Sequence, residues 1–162
     1  MDVFLQPGEL YFGDKDTCIR TVLGSCVSLT FWHPGLLVGG MCHYMLPNRQ
    51  DAKHGGPDGR YGDEAVGMLM DEIASLNVSH KEFQVKLFGG GNMFPKLSTG
   101  RYHVGLNNIR MARKLVSQHG FNCMSEHLGG TGHRHVIFDI ESGNVWVKHV
   151  EIAREDDRRA TA

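Results

Sequence analysis

The stretch CVSLTFWHPGLLVGGMCHYM, residues 26–45, decides how the rest of the chain is read. Two strand-forming runs, Val27 to Phe31 and Leu37 to Met45, flank a turn signal, His33-Pro34-Gly35-Leu36, centred between Pro34 and Gly35. A hairpin closed there pairs Val27 with Cys42, Leu29 with Gly40 and Phe31 with Val38 on one face, because side chains alternate with period 2. The other face pairs Cys26 with His43, Ser28 with Met41 and Thr30 with Gly39. Directly opposed residues hold their Cβ atoms about 4.5–5.5 Å apart, so this register predicts a thiol beside an imidazole.

That pairing has chemical meaning. A free thiol of pKa about 8.5 is mostly protonated at neutral pH, and an adjacent imidazole can take the proton and leave a thiolate nucleophile. Cys42 falls on the apolar face with Val27 and reads as inert packing. Gly24-Ser25, just before Cys26, reads either as a turn whose backbone N–H groups face a developing oxyanion or as a plain strand connection. A strand cysteine is a core residue more often than a nucleophile, so the residues alone leave both readings of Cys26 open.

Outward from the hairpin, further strand signals come from Thr17 to Leu23, Phe83 to Phe88, Phe121 to Leu128, Val136 to Ile140 and Val145 to Val150. The last two are joined by Glu141-Ser142-Gly143-Asn144 as a second hairpin. A helix is expected from Asp63, as cap, to Leu76, with Val66, Leu69, Met70, Ile73 and Leu76 on one face. Another is expected between Asn107 or Asn108 as cap and Gly120 as terminator, with Ile109, Ala112 and Val116 as its apolar stripe. Seven strands and two main helices predict an α/β fold, a single layered domain over residues 1–162 with a mixed or antiparallel sheet. His54 to Gly62 reads as a long loop and residues 154–162 as a frayed tail.

Composition narrows the function classes. Of 162 residues, 41% are hydrophobic and 22% charged, values of an ordinary folded domain rather than a disordered or membrane chain. Seventeen basic and 18 acidic residues give a net charge of -1, so no global field exists to attract nucleic acid or anionic lipid. Met1 to Tyr11 lacks the basic-then-apolar pattern of an export signal, and no run approaches the roughly 20 apolar residues needed to span a bilayer. A cytoplasmic protein without membrane insertion is expected. The four cysteines, Cys18, Cys26, Cys42 and Cys123, are read as reduced thiols.

Ten histidines raise a metal alternative around Cys123, His127, His133 and His135, although no tightly paired ligand spacing occurs. Gly89-Gly90-Gly91-Asn92 follows a strand but lacks the Gly-Lys-Ser/Thr ending of a phosphate loop, and reads better as a border of the active site. Met93 and Phe94 read as core residues in the first instance and as a partner-binding knob in the second.

Thr21-Val22-Leu23-Gly24-Ser25-Cys26-Val27, followed by His43-Tyr44-Met45-Leu46-Pro47, closely resembles the CheD family of chemoreceptor glutamine deamidases. The resemblance continues through Gly59-Arg60-Tyr61-Gly62-Asp63, Phe88-Gly89-Gly90-Gly91-Asn92-Met93-Phe94, Gly105 to Asn108 and Leu128-Gly129-Gly130. It implies a fold related to bacterial toxin deamidases and a cysteine–histidine–threonine triad, carried over to Cys26, His43 and Thr21. The implied reaction is hydrolysis of glutamine carboxamides on chemoreceptors to glutamate through a cysteine thioester, without a cofactor, and some members are thought also to act on receptor methyl esters. The implied partners are the receptors and the phosphatase CheC. Three functions stay open: a protein-glutamine deamidase, a non-catalytic module binding CheC, and a histidine-rich metal-binding domain.

Overall fold

The computed structural model describes residues 1–51, 55–97 and 103–153. His54 and the C-terminal 154–162, read above as loop and tail, lie outside the described residues.

Among the described residues nine strands form two mixed sheets, where the sequence suggested one sheet of seven strands. The larger contains β2 (Leu10–Gly13), β4 (Val27–His33), β5 (Val38–Cys42), β6 (Gln84–Gly89) and β7 (Asn122–Leu128), in the order β2-β5-β4-β6-β7. The smaller contains β1 (Asp2–Phe4), β3 (Cys18–Leu23), β8 (His133–Asp139) and β9 (Val145–Val150), in the order β1-β3-β8-β9. Only β6 with β7 and β1 with β3 run parallel; the other neighbours are antiparallel. The short strands β1 and β2 escaped the sequence reading.

Helices α1 (Gly62–Ala74) and α2 (Val104–His119) pack on one face of the five-stranded sheet. Val66, Leu69 and Ile73 of α1 and Ile109, Ala112 and Leu115 of α2 meet Val27, Leu29, Phe31, Val85 and Leu87 in one core. The other face meets the four-stranded sheet in a second core built on Ile19, Leu23, Met41, Phe88, Val136 and Phe138. Period 2 makes this three-layer arrangement possible: each strand of the middle sheet sends alternate residues to the helices and to the smaller sheet.

Both helix starts differ from expectation. Tyr61, not Asp63, is the N-cap of α1; the Asp63 carboxylate accepts the N–H of Glu64 inside the first turn. The α2 helix begins after His103, so neither Asn107 nor Asn108 caps it, and Asn108 is fully buried. Gly120 does end α2, in the left-handed conformation at φ 65°.

The hairpin closes in a different register. Its ladder pairs Phe31 with Gly40, Trp32 with Gly39 and His33 with Val38, and an isolated bridge pairs Val27 with Tyr44. This is a slip of two residues from the expected pairing. The turn holds four residues instead of two, Pro34 to Leu37, with Leu37 at φ 52° and its N–H donating to His33 O at 2.9 Å. The His33 side chain stabilises it: Nδ1 accepts the N–H groups of Gly35 and Leu36 at 3.1 and 3.0 Å. An even slip leaves every side chain on its expected face, whereas a slip of one would have reversed them all.

Candidate active site

Cys26 immediately precedes β4 and His43 immediately follows β5, and both point toward the four-stranded sheet. Extending the observed register sets His43 opposite Ser28 and Cys26 opposite Met45. The thiol and imidazole therefore share a face but are diagonal neighbours, one pleat apart, rather than directly opposed. No hydrogen bond joins them among the described residues.

The third residue comes from the other sheet. Thr21, in the middle of β3, is 1% exposed, and its Oγ1 lies 2.6 Å from His43 Nδ1 and donates to Leu5 O at 2.8 Å. A hydroxyl has one proton. Given to the Leu5 carbonyl, it leaves Oγ1 as the acceptor for Nδ1–H, and Nε2 then carries the lone pair. This network assigns the tautomer in which the nitrogen not held by Thr21 is the proton acceptor. The Leu5 segment is itself anchored, with Leu5 N–H donating to Arg20 O at 2.8 Å. His43 is fixed from the other side through its backbone, bonded to Glu9 O and Gly8 N–H.

Burial governs both titrating groups. Desolvation pushes the Cys26 thiol up to about 11 and lowers His43 to about 4, the Glu9 carboxylate partly opposing the second shift. Both shifts favour the neutral form, a thiol beside a neutral imidazole at rest.

The turn before Cys26 is held by its carbonyls. Gly24 O accepts Gly91 N–H at 2.9 Å, Ser25 O accepts Asn108 Nδ2 at 3.0 Å and Cys26 O accepts Gly90 N–H at 2.9 Å. The N–H groups of Ser25 and Cys26 meet no acceptor among the described residues. The glycine run thus borders the site, with two of its N–H groups spent on the Cys26 turn. Gly89 at φ 109° and Gly90 at φ 70° are required there, because a Cβ on Gly89 would strike Cys26 O and one on Gly90 would strike Ile109. Arg134, 1% exposed, supports the same loop by donating to Gly89 O at 3.3 Å and Gly129 O at 2.6 Å.

Sequence reasoning missed Asn108 and Arg134, since both residue types are ordinarily surface residues. For Asn108 a signal existed in the Gly105 to Asn108 segment. The histidine cluster is dispersed: His127 Nδ1 accepts Arg134 Nε at 2.8 Å, and His133 and His135 pack edge to face at 5.3 Å. Among the described residues no group of three or more His, Cys, Asp or Glu converges on a metal position. Met93 and Phe94 are 36% and 54% exposed, which removes them from the core, and Met93 lies against Gly24 at the rim of the Cys26 turn.

Comparison with known proteins places this geometry in context. The family model described as CheD chemotactic sensory transduction matches residues 45–149. A probable chemoreceptor glutamine deamidase CheD of Pseudomonas syringae pv. tomato is 43% identical over 98% of this chain and 96% of its own length. One of Pseudomonas savastanoi pv. phaseolicola is 47% identical over 91% and 84%. The probable chemoreceptor glutamine deamidase CheD 1 of Leptospira interrogans is 37% identical over 93% and 94%. A crystal structure of Neisseria meningitidis protein NMB0706 aligns with 75% of this chain and 52% of its own at 14% identity, with a TM-score of 0.42.

Proposed function

This chain belongs to the CheD family, and we propose that it is a chemoreceptor glutamine deamidase acting through Cys26, His43 and Thr21. Cys26 Sγ attacks the carboxamide carbon of a receptor glutamine while His43 Nε2 takes the thiol proton. The carbonyl π electrons move onto oxygen, which the N–H groups of Ser25 and Cys26 receive. Collapse of the tetrahedral intermediate breaks the C–N bond, and the imidazolium returns its proton to the leaving group, releasing ammonia. Water, deprotonated by His43, then adds to the thioester; breaking the C–S bond yields glutamate and restores the thiol. Thr21 holds the imidazole in the required tautomer throughout.

The observation that carries this reading is the Thr21–His43 contact of 2.6 Å with the hydroxyl proton committed to Leu5 O. It supports a base aimed by a third residue, the logic of triads in general. Burial favours the neutral form of both groups at rest, so the attack requires the thiol proton to pass to His43. We read the chain as one catalytic domain acting in the cytoplasm on the receptors; no helix among the described residues is long and apolar enough to cross a membrane. The test is ammonia release and the mass gain of deamidation in a purified receptor fragment. Wild-type activity that Cys26→Ala removes supports the reading, and a Cys26→Ala protein as active as wild type overturns it.

A second, compatible reading is that the chain also binds the phosphatase CheC. It is favoured by the exposed Met93 and Phe94 beside the nucleophile's turn. Phe94→Glu is expected to weaken CheC binding by at least about tenfold in titration calorimetry, and unchanged affinity removes this surface as the contact.

A further inference from the structure

Asn108 of α2 is 0% exposed, and its side-chain amide bonds to both halves of the site. Nδ2 donates to Ser25 O at 3.0 Å and to Met45 O at 2.9 Å. The first carbonyl belongs to the residue before the nucleophile and the second lies two residues beyond the base. The backbone bonds between the two hairpin strands end at the reciprocal pair Val27–Tyr44. Past that point the strands share no backbone bond among the described residues, and the carboxamide of Asn108 spans them instead. Its orientation is unambiguous, because two carbonyl partners can be served only by the NH2 end. Its Oδ1 meets no partner. The Tyr44 hydroxyl donates to the main-chain carbonyl of Asn108, tying α2 to the strand that carries His43.

The consequence lies in peptide geometry. In a planar trans peptide, C=O and the following N–H point in opposite directions. Gly91, by holding Gly24 O, sets the direction of Ser25 N–H; Asn108, by holding Ser25 O, sets that of Cys26 N–H. We propose that Asn108 is a positioning residue for deamidation, its carboxamide fixing both the spacing between the Cys26 turn and the His43 strand and the direction of the Cys26 N–H that receives the oxyanion. The inference rests on the deamidase reading for its kinetic consequence and on geometry alone for its hold on the turn.

The experiment compares wild type, Asn108→Ser and Asn108→Asp on a receptor fragment, with folding followed by thermal melting. In folded Asn108→Ser, kcat is expected to fall by about 30-fold or more while KM stays within about threefold, the pattern of an interaction used in the transition state. Iodoacetamide labelling of Cys26 at pH 8 is expected to move the other way, faster by about threefold or more, as the released turn relaxes into water. A carboxyl group can donate only when protonated, so the activity of Asn108→Asp relative to wild type is expected to rise as pH falls from about 8 to about 6. A folded variant with kcat within threefold of wild type, a loss confined to KM, or failure of both variants to fold overturns the proposal, the last by reducing the amide to a stability contact. Wild type silent on receptor fragments would instead sink the deamidase reading, and the labelling contrast would still decide whether Asn108 holds the turn.

Discussion

Cys42 and Cys26 lie on opposite faces of the same five-stranded sheet. Cys42 is fully buried on the helix-covered face among Val27, Leu29, Phe31 and the apolar residues of α1 and α2. Cys26 is half-buried on the face toward the smaller sheet, the face that also carries the buried polar side chains of Ser28, Thr30 and His43 and meets Thr21. Desolvation raises the first thiol to about 12 and the second to about 11, so pKa alone hardly separates them. What distinguishes Cys26, the proposed nucleophile, is its company: an imidazole held by a hydroxyl, N–H groups in its own turn that meet no acceptor among the described residues, and partial exposure to solvent. Both faces bury an apolar core, and the inter-sheet face adds the buried polar groups that hold the imidazole.

The largest effect expected from this contrast is on turnover. Cys26→Ala and His43→Ala should each lower single-turnover ammonia release by about four powers of ten or more, while Cys42→Ala leaves it within about twofold. Comparable losses at Cys26 and Cys42 would erase the distinction between the faces.

Next comes Thr21. Removing a hydroxyl that only orients the base leaves the imidazole in reach for part of the time, so Thr21→Ala should retain a rate lower by about one to three powers of ten, or roughly 1.4–4 kcal/mol. Thr21→Ser should recover part of it. Full activity in a well-folded Thr21→Ala protein would leave the tautomer to be set by other groups.

The acid limb of stability is a third measure. His43 titrates near 6.5 when unfolded and at about 4 when folded, so the folded state binds fewer protons between those values. Its contribution is intact above about pH 6.5 and declines to about 3 kcal/mol less as pH falls through 4. Denaturant titrations from pH 7 to 4 should show a decline that His43→Gln flattens; identical slopes in both proteins would mean that His43 is not held neutral by burial.

The smallest effect belongs to the packing face. Cys42→Ala should cost about 1–2 kcal/mol of stability, from lost burial in a closed core, and urea midpoints measure it. In brief iodoacetamide labelling of the native protein at neutral pH, exposed Cys123 should react first, Cys26 more slowly and Cys42 least. Labelling of Cys26 ahead of Cys123 would indicate a thiolate at rest.

The sequence disclosed the face of each hairpin residue but not the pairing across it. Face follows from alternation, which a change of two residues in loop length does not disturb. Pairing depends on the turn, and here His33 Nδ1 replaces the expected two-residue loop by one of four, a side-chain effect without a periodic signal. The helices were legible from their apolar stripes, whereas the start of α2 was misplaced because Asn108 has the chemistry of a cap and is used instead to bridge Ser25 and Met45. Thr21 came from resemblance to a family; its contact with His43 crosses between sheets, and no spacing rule within one strand pair reaches that far. Arg134, buried on carbonyls of two glycine loops, had no local signature at all.

Thr21 precedes His43 by 22 residues, yet the sheet that presents it is completed much later, when β8 places Val136 opposite Thr21 and β9 pairs with β8. During synthesis Cys26 and His43, the proposed nucleophile and base, leave the ribosome roughly a hundred residues before that sheet can close, several seconds at ordinary elongation rates. A nascent chain in that interval holds the reactive pair without the scaffold that orients it. Catalytic competence is thus a late event in the life of each polypeptide, and a truncated translation product lacking the final hairpin is expected to be harmless to bystander proteins.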